Sequence, residues 1–403
     1  MTLPQTSVIV VSRGRADHLR LCLLSLSMQD HPDFEVVLVA DAAGLAQRMD
    51  LPLKRVTFDV PNISLARNLG LAHAAGAVVA FIDDDSVAEP RWLSRLVAPF
   101  DDPSVMAATG WTRARDGFSW QTRTDRIDAR GLPLSEPNPA RETRLLGAEA
   151  GTVPSTLGTN CAFRTVALRR IGGFDPAFSY HLDESDVNMR MAAAMPDALT
   201  AVVPSAQVIH AQAGNAGRDK AAVPLDLSVQ GRSAAIFARR YAGKVPEAEI
   251  IARYRRRLIR QVLDAKLDPF RVGAILESLR SGLAEGGDMA PPAPPPPGIE
   301  TASAGFRRMP VLHRPGPVLG GWHWQAATLR AQASDMAKDH LIPTIVLLSP
   351  SFLPHRLRLT EAGWFEQTGG LWGQSEPGDS PLATWRLRDR IAHEANLATN
   401  RRN

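Results

Sequence analysis

Apolar residues along the first hundred positions follow two alternating periods. Val8-Ile9-Val10-Val11 is a continuous β-branched run, as a strand buried on both faces requires. Leu19, Leu23 and Leu26 then repeat at helical spacing. Phe34 to Val39 reads as a second strand and Arg55 to Phe58 as a short third. Ser64 to Ala75 reads as a helix with Ser64 as its N-cap. Ala77 to Ile82 is a fourth strand that stops at Asp83-Asp84-Asp85, and Arg91 to Phe100 is another helix. Strand–helix alternation with short joints predicts an α/β fold: right-handed βαβ units and a mostly parallel sheet flanked by helices. Ligands of such sheets sit beyond the carboxyl ends of the strands, which is where the three aspartates fall.

The pattern then changes. Arg113 to Thr156 is charged and proline-containing with little periodicity, and reads as an irregular insertion on the acceptor side. Order resumes with a strand at Leu157–Phe163 and a helix near Val166–Ile171. A helix from about Glu184 to Ala194 follows, then strands at Thr200–Val203 and Gln207–Ile209, the last ending in His210. Pro224 to Leu283 is helical, with Ile251, Tyr254, Leu258 and Val262 on one face amid Arg253, Arg255, Arg256, Arg257 and Arg260. That basic face meets either water or anionic lipid head groups. Ala290 to Gly298 is a polyproline linker. The last hundred residues offer one strand, Thr344–Leu348, and Trp322, Trp324, Trp364 and Trp372, expected to form a small core. The expected division is a catalytic domain over 1–215, a helical extension over 216–285, a Pro-rich linker over 286–300 and a small C-terminal domain over 301–403. A chain ending near Glu285 is expected to fold alone.

Composition narrows the class. With 403 residues, 44% hydrophobic and 22% charged, the chain is an ordinary folded protein. A net charge of +4 excludes a polycation built to coat nucleic acid. Cys22 and Cys161 are isolated in apolar runs, so reduced buried thiols are expected, not a disulfide or zinc site. No apolar run is long enough to span a bilayer, and the opening run is too short for a signal peptide. The expectation is a cytoplasmic protein, at most peripheral at the inner face of the membrane.

Two acidic clusters carry the candidate chemistry. Asp83-Asp84-Asp85 at a strand end repel one another unless a cation neutralises them, and Mg2+ or Mn2+ there would bridge to a diphosphate. The plainer reading is a solvated acidic turn. Asp183-Glu184-Ser185-Asp186 opens a helix, where acids suit the dipole. Arg190 lies one turn after Asp186, so the two are expected to pair structurally.

Taken together, these blocks resemble family-2 glycosyltransferases over about Thr6 to His210. The blocks are Val8 to Arg15 with Leu19 to Gln29, Phe34 to Asp41, Ala66 to Gly70 with Phe81 to Asp85, Gly158 to Arg164 with Ile171 to Asp175, and Asp183 to Arg190. The resemblance implies a GT-A fold and an inverting, metal-dependent transfer of a sugar from a nucleotide-diphosphate-sugar to an acceptor hydroxyl. A glycan or lipid-linked acceptor in surface polysaccharide or glycoconjugate synthesis is the implied setting. By that resemblance Asp83 and Asp85 hold Mn2+ or Mg2+, with His210 approaching the metal or diphosphate. Ser12, Arg15, Asp41, Arg67, Asn68, Asp83 and Asp84 are the implied donor-side residues, and Glu184 the base, with Asp183 second. Asp41 would contact the nucleotide base or cap a turn, and Arg67 and Asn68 would reach donor phosphate or lie on a helix surface. The loop after His210 would bring Arg218 or Lys220 to phosphate, or simply be solvated.

Departures are visible. The family often has Pro-Thr-Tyr-Asn-Arg where this chain has Val11-Ser12-Arg13-Gly14-Arg15, and Glu-Asp-x-Asp where it has Asp183-Glu184-Ser185-Asp186. Two other readings remain at this stage, a non-catalytic sugar- or nucleotide-binding scaffold and a nucleotidyltransferase. The first needs broken acidic motifs. The second needs a Gly-rich, Lys-containing loop after the first strand, which Ser12 to Arg15 is not.

Overall fold

A computed structural model describes residues 3–214, 217–219, 222–289, 293–299, 301, 305–379 and 384–402. Lys220 and part of the proline run lie outside them.

The first segment runs β1 (Thr6–Ser12), α1 (Ala16–Ser27), β2 (Phe34–Ala40), α2 (Ala42–Leu45), β3 (Lys54–Thr57), α3 (Ile63–His73), β4 (Val78–Asp83), β5 (Ser86–Ala88) and α4 (Trp92–Val97). Next come β6 (Val105–Arg113), β7 (Trp120–Thr122), β8 (Asp125–Asp128), β9 (Pro133–Ser135), β10 (Arg144–Leu146) and β11 (Thr152–Pro154). Then follow β12 (Cys161–Arg164), α5 (Thr165–Arg170), α6 (Asp183–Ala194) and β13 (Leu199–His210). The strand order is β10-β13-β6-β12-β4-β1-β2-β3, with β5 on β13 and β7 on β6. β4, β1, β2 and β3 are mutually parallel, as is the β6–β13 pair, while β12 runs against both its neighbours. The chain is thus α/β, with a mixed, mostly parallel sheet whose strands β1, β2 and β4 are buried on both faces.

Several local expectations change. Asn62, not Ser64, caps α3, accepting from Leu65 N at 3.0 Å, because Ser64 Oγ donates to Phe178 O at 2.7 Å. The two strands expected around residues 200–209 are one, β13, with a register shift between Val203 and Val208. The insertion is not featureless. β7 joins the main sheet, and β8, β9 and β11 form a small sheet of their own. Cys22 and Cys161 are both buried and unpaired in a disulfide.

The helical region is α7 (Ser228–Ala242), α8 (Glu247–Leu263) and α9 (Val272–Asp288). Its core of Phe237, Leu258, Leu276 and Leu279 takes in Phe178 and Leu182, which immediately precede α6. The C-terminal residues build β14 (Arg314–Trp322), α10 (Ala326–Lys338), β15 (Leu341–Ser349), β16 (Arg356–Leu359), β17 (Phe365–Gly370) and α11 (Leu387–Arg402). Here the expectation of a detachable unit meets a shared core. Met28, Phe118 and Ile209 of the first segment form one apolar cluster with Ile342, Leu357, Leu359 and Phe365. Arg402 pairs with Glu89 at 3.0 Å, and Arg113 with Glu376 at 3.2 Å, all four largely buried. A proline run in sequence signals an extended connection, but not whether its two ends pack together. Of the four tryptophans, Trp364 is buried and Trp322 and Trp372 are half-buried, whereas Trp324 is exposed and stacks on Trp322.

Candidate active site

Strand order fixes the site. β1 lies between β2 and β4, so the crossovers from it leave in opposite directions and open a crevice at the strand ends. In that crevice Val11 lies beside Asp83, and Ser12 Oγ donates to Asp84 Oδ2 at 2.7 Å. Arg15, ahead of α1, reaches Asp84 at 2.6 Å and Asp85 at 3.2 Å. Ser12 and Arg15 therefore hold the acidic triplet in place.

The last residue of β13 completes one pole. His210 Nε2 lies 3.1 Å from Asp85 Oδ1 and 3.8 Å from Asp83 Oδ2. One ligand atom from each of Asp83, Asp85 and His210 falls within 4.8 Å of the others. His210 Nδ1 sits 3.0 Å from Gln121 Oε1 on β7. An amide oxygen only accepts, so that assignment puts a proton on Nδ1; in the neutral ring the Nε2 lone pair then faces the carboxylates, and in the protonated ring Nε2–H donates to them. Asp85 Oδ1 is buried without a well-aligned hydrogen bond. Two carboxylates and an imidazole nitrogen are a donor set that fits Mn2+ or Mg2+.

The electrostatics agree with that fit. Burial pushes Asp84 up to about 7, against the opposing charge of Arg15 and with the help of Asp85. Burial also raises Asp83, over the opposition of His210 and Arg67. Asp85 behaves differently. Burial acts to raise it, but the His210 imidazole, Arg15 and the Ala213 N–H outweigh that and hold it below the usual carboxylate range.

The second pole is built from α3 and α6. Arg67, 2% exposed, lies 5.3 Å from the Phe174 ring and 5.8 Å from that of Phe81. Its guanidinium donates to Asp183 and to Glu184 Oε1, the latter at 2.8 Å, and its other nitrogen reaches Asp83 at 3.5 Å. Consecutive helical residues diverge by ~100°, so only one of Asp183 and Glu184 is expected to face the cleft. Both nevertheless meet the same guanidinium, which sits between them. Burial and the neighbouring Glu184 push Asp183 well above its ordinary value, against the pull of Arg67. For Glu184 burial acts upward, but Arg67 and a hydrogen bond from Asp183 outweigh it, so the carboxylate is ionised. The turn that presents them is strained, with His181 at φ +106° and Leu182 at φ +63°.

Gly158 makes this closeness feasible. A Cβ there would overlap Glu184 Oε1 and Arg67 Nη2 and lie 2.8 Å from Arg67 Cζ. Asp186 serves the scaffold. It pairs with Arg190 at 2.7 Å as expected, and also takes Arg240 at 2.6 Å and the Tyr241 hydroxyl at 2.7 Å from α7.

The remaining residues are placed as follows. Asp41 caps α2 through Gly44 N at 2.8 Å and accepts from Gly14 N at 2.7 Å, beside the crevice. Asn68 uses both ends of its amide on the Phe174 backbone, at 2.7 and 2.8 Å. Arg218 donates to Ala213 O and stands 4.0 Å from Asp85. Gln121 and Gly158 were not legible as site residues. Gln121 lies in the stretch without periodicity, and the proximity of Gly158 to Arg67 is purely tertiary.

A switch-point crevice with an acidic set that could hold a cation on one side and helix-borne carboxylates on the other fits the resemblance drawn from the sequence. Residues 7–172 match the model of glycosyl transferase family 2. An uncharacterized protein of Mycobacterium tuberculosis is 29% identical over 198 residues, 47% of this chain and 62% of its own length. The glucosyl-dolichyl phosphate glucuronosyltransferase of Haloferax volcanii is 30% identical over 113 residues, 28% of this chain and 34% of its own length. The matched stretch thus spans less than two thirds of each relative. A solved mannosyltransferase from Pyrobaculum calidifontis, in complex with GDP-Man and Mn2+, aligns at 18% identity over 70% of this chain and 87% of that one, with a TM-score of 0.40. No helix among the described residues is long and apolar enough to cross a membrane.

Proposed function

We propose that the chain is an inverting, divalent-metal-dependent glycosyltransferase that moves a sugar from a nucleotide-diphosphate-sugar to an acceptor hydroxyl. We place its acceptor among glycans or lipid-linked glycans of surface polysaccharide or glycoconjugate synthesis. One observation carries the reading. Arg67 joins Asp83 of the candidate cation-binding set to Glu184 and Asp183, so both poles share one crevice.

Asp83, Asp85 and His210 would hold the ion. When bound, it supplies positive charge for the leaving diphosphate. Glu184 takes the proton from the acceptor hydroxyl as its oxygen bonds to the anomeric carbon and the bond to the diphosphate breaks. Arg67 favours the charged form of Glu184 against burial, and the hydrogen bond with Asp183 orients it. Ser12 and Arg15 hold Asp84, and with it the triplet, against self-repulsion. Asp41 stands beside the crevice to meet the nucleotide.

The test is incubation with a panel of nucleotide-sugars, Mn2+ and short glycans, with product configuration read by NMR. The reading expects nucleoside diphosphate and an inverted glycoside. Retained configuration would overturn the single displacement. Binding without turnover would favour a scaffold, and release of pyrophosphate a nucleotidyltransferase.

A further inference from the structure

The basic helix α8 has a second property that the active site does not use. Its inner face is fixed by Ile250 and Leu258, both buried, with Ile251, Tyr254 and Val262 packed alongside. At 3.6 residues per turn, Arg256, Ile259 and Leu263 then share the opposite face, with Arg255 at its edge beside Val262. All four are exposed, Ile259 at 44% and Leu263 at 80%. The α8–α9 connection continues the pattern, because Phe270 is 94% exposed and is followed by the exposed Arg271.

Charge is concentrated in the same place. From Ala252 to Ala274 the chain has seven cations and two acids, Asp264 and Asp268. That surplus exceeds the +4 of the whole molecule. A merely solvated basic face has no reason to carry Leu263 and Phe270 outward among its arginines. A face that meets acyl chains and anionic head groups together needs both kinds of side chain. Burial, helped by the charges of Arg253 and Arg257, holds His181 down to about 4.

We propose that the outer face of α8 and the tip at Phe270 dock this protein on an anionic bilayer surface, with Leu263 and Phe270 entering the head-group–acyl boundary and Arg255, Arg256, Arg260 and Arg271 meeting lipid phosphates. This inference does not rest on the glycosyltransferase reading. Its geometry is that of a helix lying on the membrane.

The experiment is vesicle flotation of the full chain, comparing phosphatidylcholine alone with phosphatidylcholine containing about a third phosphatidylglycerol. The full chain should float with the anionic vesicles and not the neutral ones, and raised salt should weaken it. Leu263→Ser with Phe270→Ser should cut partitioning about tenfold or more. Arg255→Gln with Arg256→Gln should cut it about 25-fold. These side chains are exposed, so unchanged thermal melts would show that the variants are folded. Equal binding to neutral vesicles, no binding at all, or wild-type partitioning by either variant would overturn the proposal. It would also be overturned if light scattering showed a dimer that the same substitutions dissociate, because the face would then be covered by a second copy.

Discussion

Gly158→Ala isolates the Arg67–Glu184 arrangement with a single methyl group. Gly158 is not among the glycines at positive φ, so alanine fits the backbone and the effect is steric. The new Cβ lies 2.8 Å from Arg67 Cζ, whereas carbon atoms pack at about 3.5–4.0 Å. Cζ must therefore retreat by about 0.7–1.2 Å, and Arg67 Nη2 and Glu184 Oε1, closer still to the new Cβ, by more. Overpacking of this kind costs about 1–3 kcal/mol, leaving a folded protein of slightly lower Tm. A catalytic group misplaced by about 1 Å loses roughly 100-fold in rate. On the proposed reading nucleotide and Mn2+ bind at the other pole, which Arg67 touches only through Asp83, so their affinities should fall much less than turnover. The assay is nucleoside diphosphate release at saturating donor, beside a thermal melt and a Mn2+ titration. Near-wild-type turnover in a folded Gly158→Ala protein would refute the placement of Glu184 at the reacting hydroxyl.

Further expectations follow from the same geometry. Glu184→Gln should lower turnover about 100-fold or more with donor binding intact, and Asp183→Asn should do less because burial and Glu184 disfavour the charged, basic form of Asp183; rates at one fixed donor concentration decide this. Asp183 also makes a stability prediction. Its folded pKa is raised, so the stability it contributes is complete below the unfolded value and is lost as pH rises through the folded one. The Tm of Asp183→Asn relative to wild type should therefore climb between acidic and neutral pH; a flat difference would contradict the upward shift of Asp183. Gln121→Leu removes the acceptor for His210 Nδ1 and should weaken Mn2+ binding about 10–100-fold by titration; unchanged affinity would put His210 outside the ligand set. Ending the chain after Glu285 uncovers Met28, Phe118 and Ile209, worth up to about 5–9 kcal/mol together. That is a large share of a total stability of about 5–15 kcal/mol and leaves an apolar patch uncovered, so light scattering should show aggregation, and a monodisperse folded product would contradict the shared core.

What could be seen in the sequence were features that repeat locally or sit at element ends. Buried strands such as Val8–Val11 show because parallel strands covered on both faces are continuous apolar runs. Asp83 to Asp85 and His210 show because each ends such a run. Features that depend on distant packing did not show. Arg67 looks like any helix arginine until Asp183 and Glu184 arrive more than a hundred residues later to surround it. Nothing local marks Phe365 and Leu357 as partners of Met28 and Phe118, which meet them only in the folded chain. Ser64 looks like a helix cap because serine often is one, but a tertiary acceptor, Phe178 O, takes its hydroxyl.

The account stands on one site that binds a divalent ion and transfers a sugar, and the most direct test of it is metal-dependent turnover. Nucleoside diphosphate release should be measured with a donor the wild type accepts, across a Mn2+ titration and in excess EDTA, for wild type and Asp85→Ala. The account predicts release that saturates with Mn2+, vanishes in EDTA and returns when Mn2+ is restored. In Asp85→Ala it should stay at least about 100-fold lower at every Mn2+ concentration, with the fold confirmed by its melt. Full release in EDTA, or wild-type release by a folded Asp85→Ala protein, would contradict it.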